Sequence, residues 1–112
     1  MAIIICNFNK CEYIIKCIDS VLKSSYEDYD IYVVDNASTD DSVKEIRNKF
    51  VGQVKLIEND QNLGGSGGFN TGMREALKYD YKYLMLLDND VMLHKDAIKL
   101  SLEYLEKMMM LG

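Results

Sequence analysis

Short apolar runs alternating with stretches of helical period constrain this chain more than any other feature. Ile3-Ile4-Ile5-Cys6, Ile31-Tyr32-Val33-Val34, Val54 to Ile57 and Tyr83-Leu84-Met85-Leu86-Leu87 have the length of strands. Between and after them, four sets of residues recur with helical spacing: Ile14, Ile15, Ile18, Val21 and Leu22; Val43, Ile46 and Phe50; Phe69, Met73, Ala76 and Leu77; Ile98, Leu102, Leu105 and Met109. Such alternation predicts right-handed β-α-β units, hence an α/β fold of three α/β/α layers around a mainly parallel, Rossmann-like sheet. The buried strands are expected to be covered on both faces.

The 112 residues, 48% hydrophobic and 28% charged, fit one domain spanning 1–112. A net charge of -5, without a basic block, gives no electrostatic footprint for nucleic acid or an anionic membrane. Ala2 to Cys6 is too short for a signal-peptide core or a bilayer span, so the expected location is cytoplasmic, with membrane association left open for a longer parent protein. Cys6, Cys11 and Cys17 lack CxxC spacing and read as reduced structural thiols.

Polar residues gather where the strands run out: Asn7 and Asn9 after the first, Asp35 and Asn36 after the second, Asp88 and Asp90 after the fourth. In open α/β sheets that edge binds ligands. Asp88-Asn89-Asp90 is the sharpest of these signals. If the strand continued, Asp88 and Asp90 would share a face, and two carboxylates about 4 Å apart would repel by roughly 4 kcal/mol at an effective dielectric near 20. A divalent cation reverses that sign, and Mg²⁺ or Mn²⁺ typically combines one or two protein carboxylates with water and phosphate oxygens. A solvated turn or helix cap is the plainer reading of the same residues. Asp35 fits either a contact to a nucleobase imide or ribose hydroxyl, favoured by its neighbours Asn36 and Ser38, or a cap on the next helix, for which Ser38 and Thr39 are the N-cap candidates. His94 reads first as a surface residue at a helix start.

Gly64-Gly65-Ser66-Gly67-Gly68 holds four of the seven glycines and reads as a loop that passes close to another group, or as a ligand-free surface loop or helix start. It is not a dinucleotide fingerprint, because Asn70 stands where GxGxxG needs its third glycine. Nor is it a Walker A loop, since Met73 replaces the phosphate-binding lysine. Asp88 to Leu93 lacks the third oxygen ligand and the turn glycine of an EF-hand. Tyr26, Tyr29, Tyr79, Tyr81 and Tyr83 read as half-buried packing, and Met108-Met109-Met110 as a helix end that packs against neighbouring protein.

Together these segments resemble the nucleotide-binding half of the GT-A glycosyltransferases, specifically family two. Asn7-Phe8-Asn9 is similar to that family's Thr-Tyr-Asn segment, and Asp35-Asn36-Ala37-Ser38-Thr39-Asp40 to Asp-Asp-Gly-Ser-x-Asp. Asp88-Asn89-Asp90 resembles the DxD metal motif. Asn62-Leu63-Gly64, with Asn70 and Gly72, resembles Asn-x-Gly followed by Ala-Arg-Asn-x-Gly, except that Phe69 stands at the Arg position. The resemblance implies an incomplete GT-A fold and a nucleotide site built from Asn7, Phe8, Asn9, Asp35, Asn36, Ser38, Gly64, Gly65, Asn70 and Asp88. Asp35 would contact the base, and Asp90 with Asp88 would hold Mn²⁺ or Mg²⁺. The glycine-rich segment looks most like galactofuranosyl and rhamnosyl transferases, which implies a UDP or dTDP sugar donor and a carbohydrate or lipid-linked acceptor.

Inverting transfer also needs a general base for the acceptor hydroxyl. The family places it in a second half of the domain, so the expectation is a fragment that binds donor without robust transfer and self-associates through its unfinished sheet edge. A non-catalytic nucleotide- or metal-binding module is the competing reading. A receiver-like domain is a third, disfavoured because the first strand ends without an acidic pair and no late strand is followed by the lysine such domains carry.

Overall fold

The computed structural model describes residues 1–111. Its elements run β1 (Ala2–Asn7), α1 (Cys11–Leu22), β2 (Asp30–Asp35), α2 (Ser42–Lys49), β3 (Lys55–Glu58), α3 (Gly64–Ala76), β4 (Leu84–Asp88) and α4 (Ala97–Leu111). The four strands form one parallel sheet in the order β3-β2-β1-β4. The α/β alternation and the parallel sheet therefore match the sequence pattern.

Period-two alternation sorts β1 and β2 between two cores. Ile3, Ile5, Ile31 and Val33 face α1, α2 and α4, packing on Ile14, Ile18, Val21, Ile46, Ile98 and Leu102. Ala2, Ile4, Tyr32 and Val34 face α3, packing on Ala76, Phe69 and Met73. The chain adds β2 and β3 on one side of β1 and then crosses to place β4 on the other. The helices change face with that reversal, as right-handed crossovers require.

Several local expectations are corrected. The glycine-rich segment is not a loop but the opening turns of α3. A Cβ added at Gly72 would lie 2.4 Å from Ile4 Cγ2, and one at Gly68 would lie 2.1 Å from Cys6 Sγ. These two glycines, one helical turn apart, let α3 sit directly on β1. Gly64 enters the helix at φ +75, a conformation an L side chain rarely adopts.

β4 is covered on one face only: Leu87 is buried, whereas Leu84 and Leu86 are 38% and 48% exposed. Leu77, Leu105 and Met109 do not face a core, being 71%, 43% and 61% exposed, and Tyr79 is exposed where half-burial was expected. Leu77 follows the last turn of α3, and beyond Leu102 no element lies under α4 to cover its apolar positions. Helix α2 starts at Ser42, not next to Ser38 or Thr39, and its start is held by Asp40 Oδ1, which accepts the Ser42 N–H at 3.0 Å.

Candidate functional site

The sheet order reverses between β1 and β4, and a crevice opens at the carboxyl ends of the strands beside that switch point, where open α/β sheets take their ligands. A cleft of about 310 Å³ lies there, lined by Cys6, Phe8, Lys10, Asn36, Asn62, Gly64, Gly65, Phe69, Asp88 and Asn89. A larger hollow of about 620 Å³ lies at the opposite end of the sheet, among Met1, Asp30, Asp80, Tyr83 and Glu103. Its size does not make it the site, because it flanks the amino ends of the strands, where the fold forms no crevice between diverging crossovers.

A buried polar network forms the floor behind the cleft. The Asn7 amide donates to Asp35 Oδ1 at 3.1 Å and accepts from Asn89 Nδ2 at 2.9 Å, tying β1 to β2 and to the turn after β4. Asp35 Oδ2 accepts the Ser38 N–H at 2.8 Å, and its Oδ1 also accepts the Ser38 hydroxyl at 2.7 Å. Asp35 is 1% exposed, so its carboxylate is spent on holding the β1 and β2 loops. Asn36, equally buried, donates to the Gly64 carbonyl at 3.0 Å and to Cys6 Sγ at 3.3 Å while accepting from Asn59 at 2.9 Å. Through Asn36 and Asn59, β2 and β3 fix the start of α3.

The β1–α1 loop is fixed from outside. Asn9, at φ 50, accepts the Thr39 and Asp40 backbone N–H groups at 2.7 and 3.2 Å, and its own N–H donates to Ser38 Oγ. Asp40 also accepts the Cys11 N–H at 3.2 Å, so one carboxylate steadies the starts of both α1 and α2.

Of the expected site residues, Phe8, Asn36, Gly64, Gly65 and Asp88 line the cleft. Asn7, Asp35 and Ser38 lie beneath it, Asn9 belongs to the loop scaffold, and Asn70 is exposed outside the lining. The acidic pair does not share a strand face. The ladder ends at Asp88, whose carbonyl accepts the Val91 N–H at 3.2 Å, so Asp90 sits in a turn. Both carboxylates are exposed. Among the described residues no third Asp, Glu, His or Cys gathers with them, His94 included. Two solvent-facing carboxylates still fit a hard cation that keeps water and phosphate oxygens for its other positions. Under this turn, burial and then the Asp90 and Asp88 charges push the Cys17 thiol up to about 12. Burial, followed by Asp35, also raises the Cys6 thiol. Neither is a nucleophile near neutral pH.

Sequence reasoning passed over Lys10, Asn62 and Asn89 in the cleft, although each adjoins a motif residue it selected. Asn59 carried no signal, because its partners Asn36 and Thr71 are distant in sequence.

A parallel α/β sheet with its cleft at this switch point defines a nucleotide-type ligand fold. The family profile for glycosyl transferase family 2 matches residues 2–109, and the chain belongs to that family. An uncharacterized glycosyltransferase of Haemophilus influenzae is 29% identical over 109 residues, 96% of this chain and 33% of the relative. The Pyrobaculum calidifontis mannosyltransferase PcManGT, solved with GDP-Man and Mn²⁺, superposes with a TM-score of 0.82 at 21% identity, covering 93% of this chain and 31% of that one. S. aureus TarS 1-349, solved with UDP-GlcNAc, gives 0.81 at 20% identity over 95% of this chain and 31% of its own. These likenesses establish the GT-A fold. The chain spans a third or less of the length of such relatives.

Proposed function

We propose that this chain forms the donor-binding part of a glycosyltransferase that takes a sugar from a nucleotide diphosphate, a UDP or dTDP sugar, to an acceptor hydroxyl with inversion. The observation that carries this reading is the cleft itself: Phe8, Asn36, Gly64, Gly65 and Asp88 converge at the switch point of a family-two fold. The nucleotide complexes of the two structural relatives support it.

Phe8, 41% exposed on the cleft wall, offers a ring on which a base can stack. Asn36 and the α3 start lie opposite. Asp88 and Asp90 would hold Mn²⁺ or Mg²⁺, which when bound neutralises charge on the departing diphosphate. The chain's own residues bind and orient the donor, and the Asn7–Asp35–Ser38 network keeps the loops that carry Phe8 and Asn36 in place. None of the cleft residues is a carboxylate free of the proposed metal site, so the base that deprotonates a carbohydrate or lipid-linked acceptor is assigned to protein beyond Gly112.

Calorimetric titration of UDP and dTDP, with and without Mn²⁺, tests this on the wild type, Asp88→Ala and Asp90→Ala. Metal-dependent binding that weakens in both variants is expected. A wild-type chain that binds neither nucleotide refutes the reading, and robust sugar transfer by these 112 residues refutes the assignment of the base.

A further inference from the structure

We infer that Lys10 is the residue that meets the diphosphate of the ligand, its ammonium serving as the charge contact of this cleft. The inference rests on the proposed nucleotide binding and goes on to name the group that recognises the phosphates.

Three observations carry it. Lys10 is the one basic residue among the described residues lining the cleft, and it shares that lining with Asp88 across the β1–β4 switch point. The α3 wall, by contrast, presents the apolar ring of Phe69. Secondly, the Lys10 ammonium has no carboxylate partner. The ion pairs among the described residues engage Lys23, Arg47, Lys55 and Lys78, while Lys10 Nζ lies 5.8 Å from the centroid of the Tyr13 ring. Thirdly, the backbone that carries Lys10 is fixed on both sides. Asn9 is held by Ser38, Thr39 and Asp40, and the Lys10 carbonyl accepts the Ile14 N–H at 2.9 Å as α1 begins.

A nucleoside diphosphate carries more negative charge than one divalent cation neutralises, and Asp88 adds a further negative charge to this cleft. An unpaired ammonium on a fixed loop supplies the missing compensation, with its flexible stem free to follow the phosphates. A lysine there also confines its effect to the phosphates, because an ammonium is a point charge without the planar fork that reads a base edge.

The test is calorimetry on the full chain with UDP and with uridine, in the presence of Mn²⁺, comparing wild type, Lys10→Gln and Lys10→Arg. Lys23→Gln, whose lysine pairs with Asp19 on α1, is the charge-matched control. Lys10→Gln is expected to weaken UDP about tenfold while leaving uridine unchanged, the size of one charge-assisted hydrogen bond. Lys10→Arg is expected to retain most of the UDP affinity, and Lys23→Gln all of it. Because Lys10 is exposed, its variants should unfold at the wild-type temperature. Equal UDP affinity in wild type and Lys10→Gln overturns the role of Lys10 and leaves nucleotide binding standing. A parallel loss of uridine overturns it as well, since the contact would then not be to phosphate. A wild-type chain that binds no UDP overturns both readings.

Discussion

Asp35 and Asp40 show how one residue type does different work a few positions apart. Asp35 has both oxygens engaged by Asn7 and Ser38 in a buried setting, so Asp35→Ala strands an amide and a backbone N–H. The expected cost is about 1–3 kcal/mol in urea unfolding, and an unchanged midpoint would remove the scaffold role given to this carboxylate. Desolvation alone would raise the Asp40 carboxyl, but the side-chain and backbone hydrogen bonds from Ser42 and the backbone bond from Cys11 outweigh it and hold the group below its ordinary value. A lowered folded pKa contributes stability above the unfolded carboxylate range, and that stability is lost as pH falls through the lowered folded value. Asp40→Ala is therefore expected to cost about 1 kcal/mol near neutrality. The gap to wild type should narrow below about pH 4; a gap independent of pH would separate the cap from its charge. The motif residues themselves were legible in the sequence, because Asn, Asp and Ser cluster only where strands end. Which atom faces the cleft was not, since Asp35 and Asn36 are adjacent and strand alternation sends one of them inward.

At the scale of an element, α3 decides how closely the donor wall approaches the sheet. Its glycines are not equivalent. Gly72→Ala would drive a methyl to within 2.4 Å of Ile4 Cγ2 and 3.1 Å of Val34 Cγ2, both on buried strands. The expected loss is about 1–3 kcal/mol, typical of an overfilled core. Gly65→Ala meets nothing within 4 Å and lies in a helix, so the same substitution there should be neutral or stabilising by about 0.5–1 kcal/mol. Thermal unfolding of the two variants checks the contrast, and equal effects would mean that α3 packs less closely than described. The helical spacing of Phe69, Met73 and Ala76 made α3 legible, but its start was hidden. Glycine's low intrinsic propensity argues for a loop, and only contact with β1 reveals why the helix needs residues without side chains. The same limit applied to Asp90: the sequence marks the acidic pair but not the turn that separates its members.

For the molecule as a whole, the sheet is finished on one side and open on the other. β1 and β2 are buried, whereas β4 pairs only with β1 and leaves Leu84 and Leu86 facing outward beside α3. The pattern Leu84-Met85-Leu86-Leu87, read alone, resembles a doubly covered strand, and nothing local distinguishes it from β2. Coverage depends on how many helices the topology delivers to each face, and here three go to one and a single helix to the other. An apolar edge strand with free N–H and C=O groups pairs with whatever strand approaches it. The expected outcome for the purified chain is reversible, concentration-dependent self-association through β4. Leu84→Lys and Leu86→Lys together would place two charges on that face without entering either core, so they should yield a monomer of unchanged secondary structure. Sedimentation velocity across a hundredfold concentration range reads both. If the wild type stays monomeric throughout, the open edge is already protected by its twist and by the solvation of its backbone. If instead the double variant associates as the wild type does, the contact lies elsewhere. The remaining apolar surface is the outer face of α4, where Leu100, Tyr104 and Met108 are exposed. A parallel Tyr104→Lys variant would then dissociate the assembly where the β4 substitutions had not.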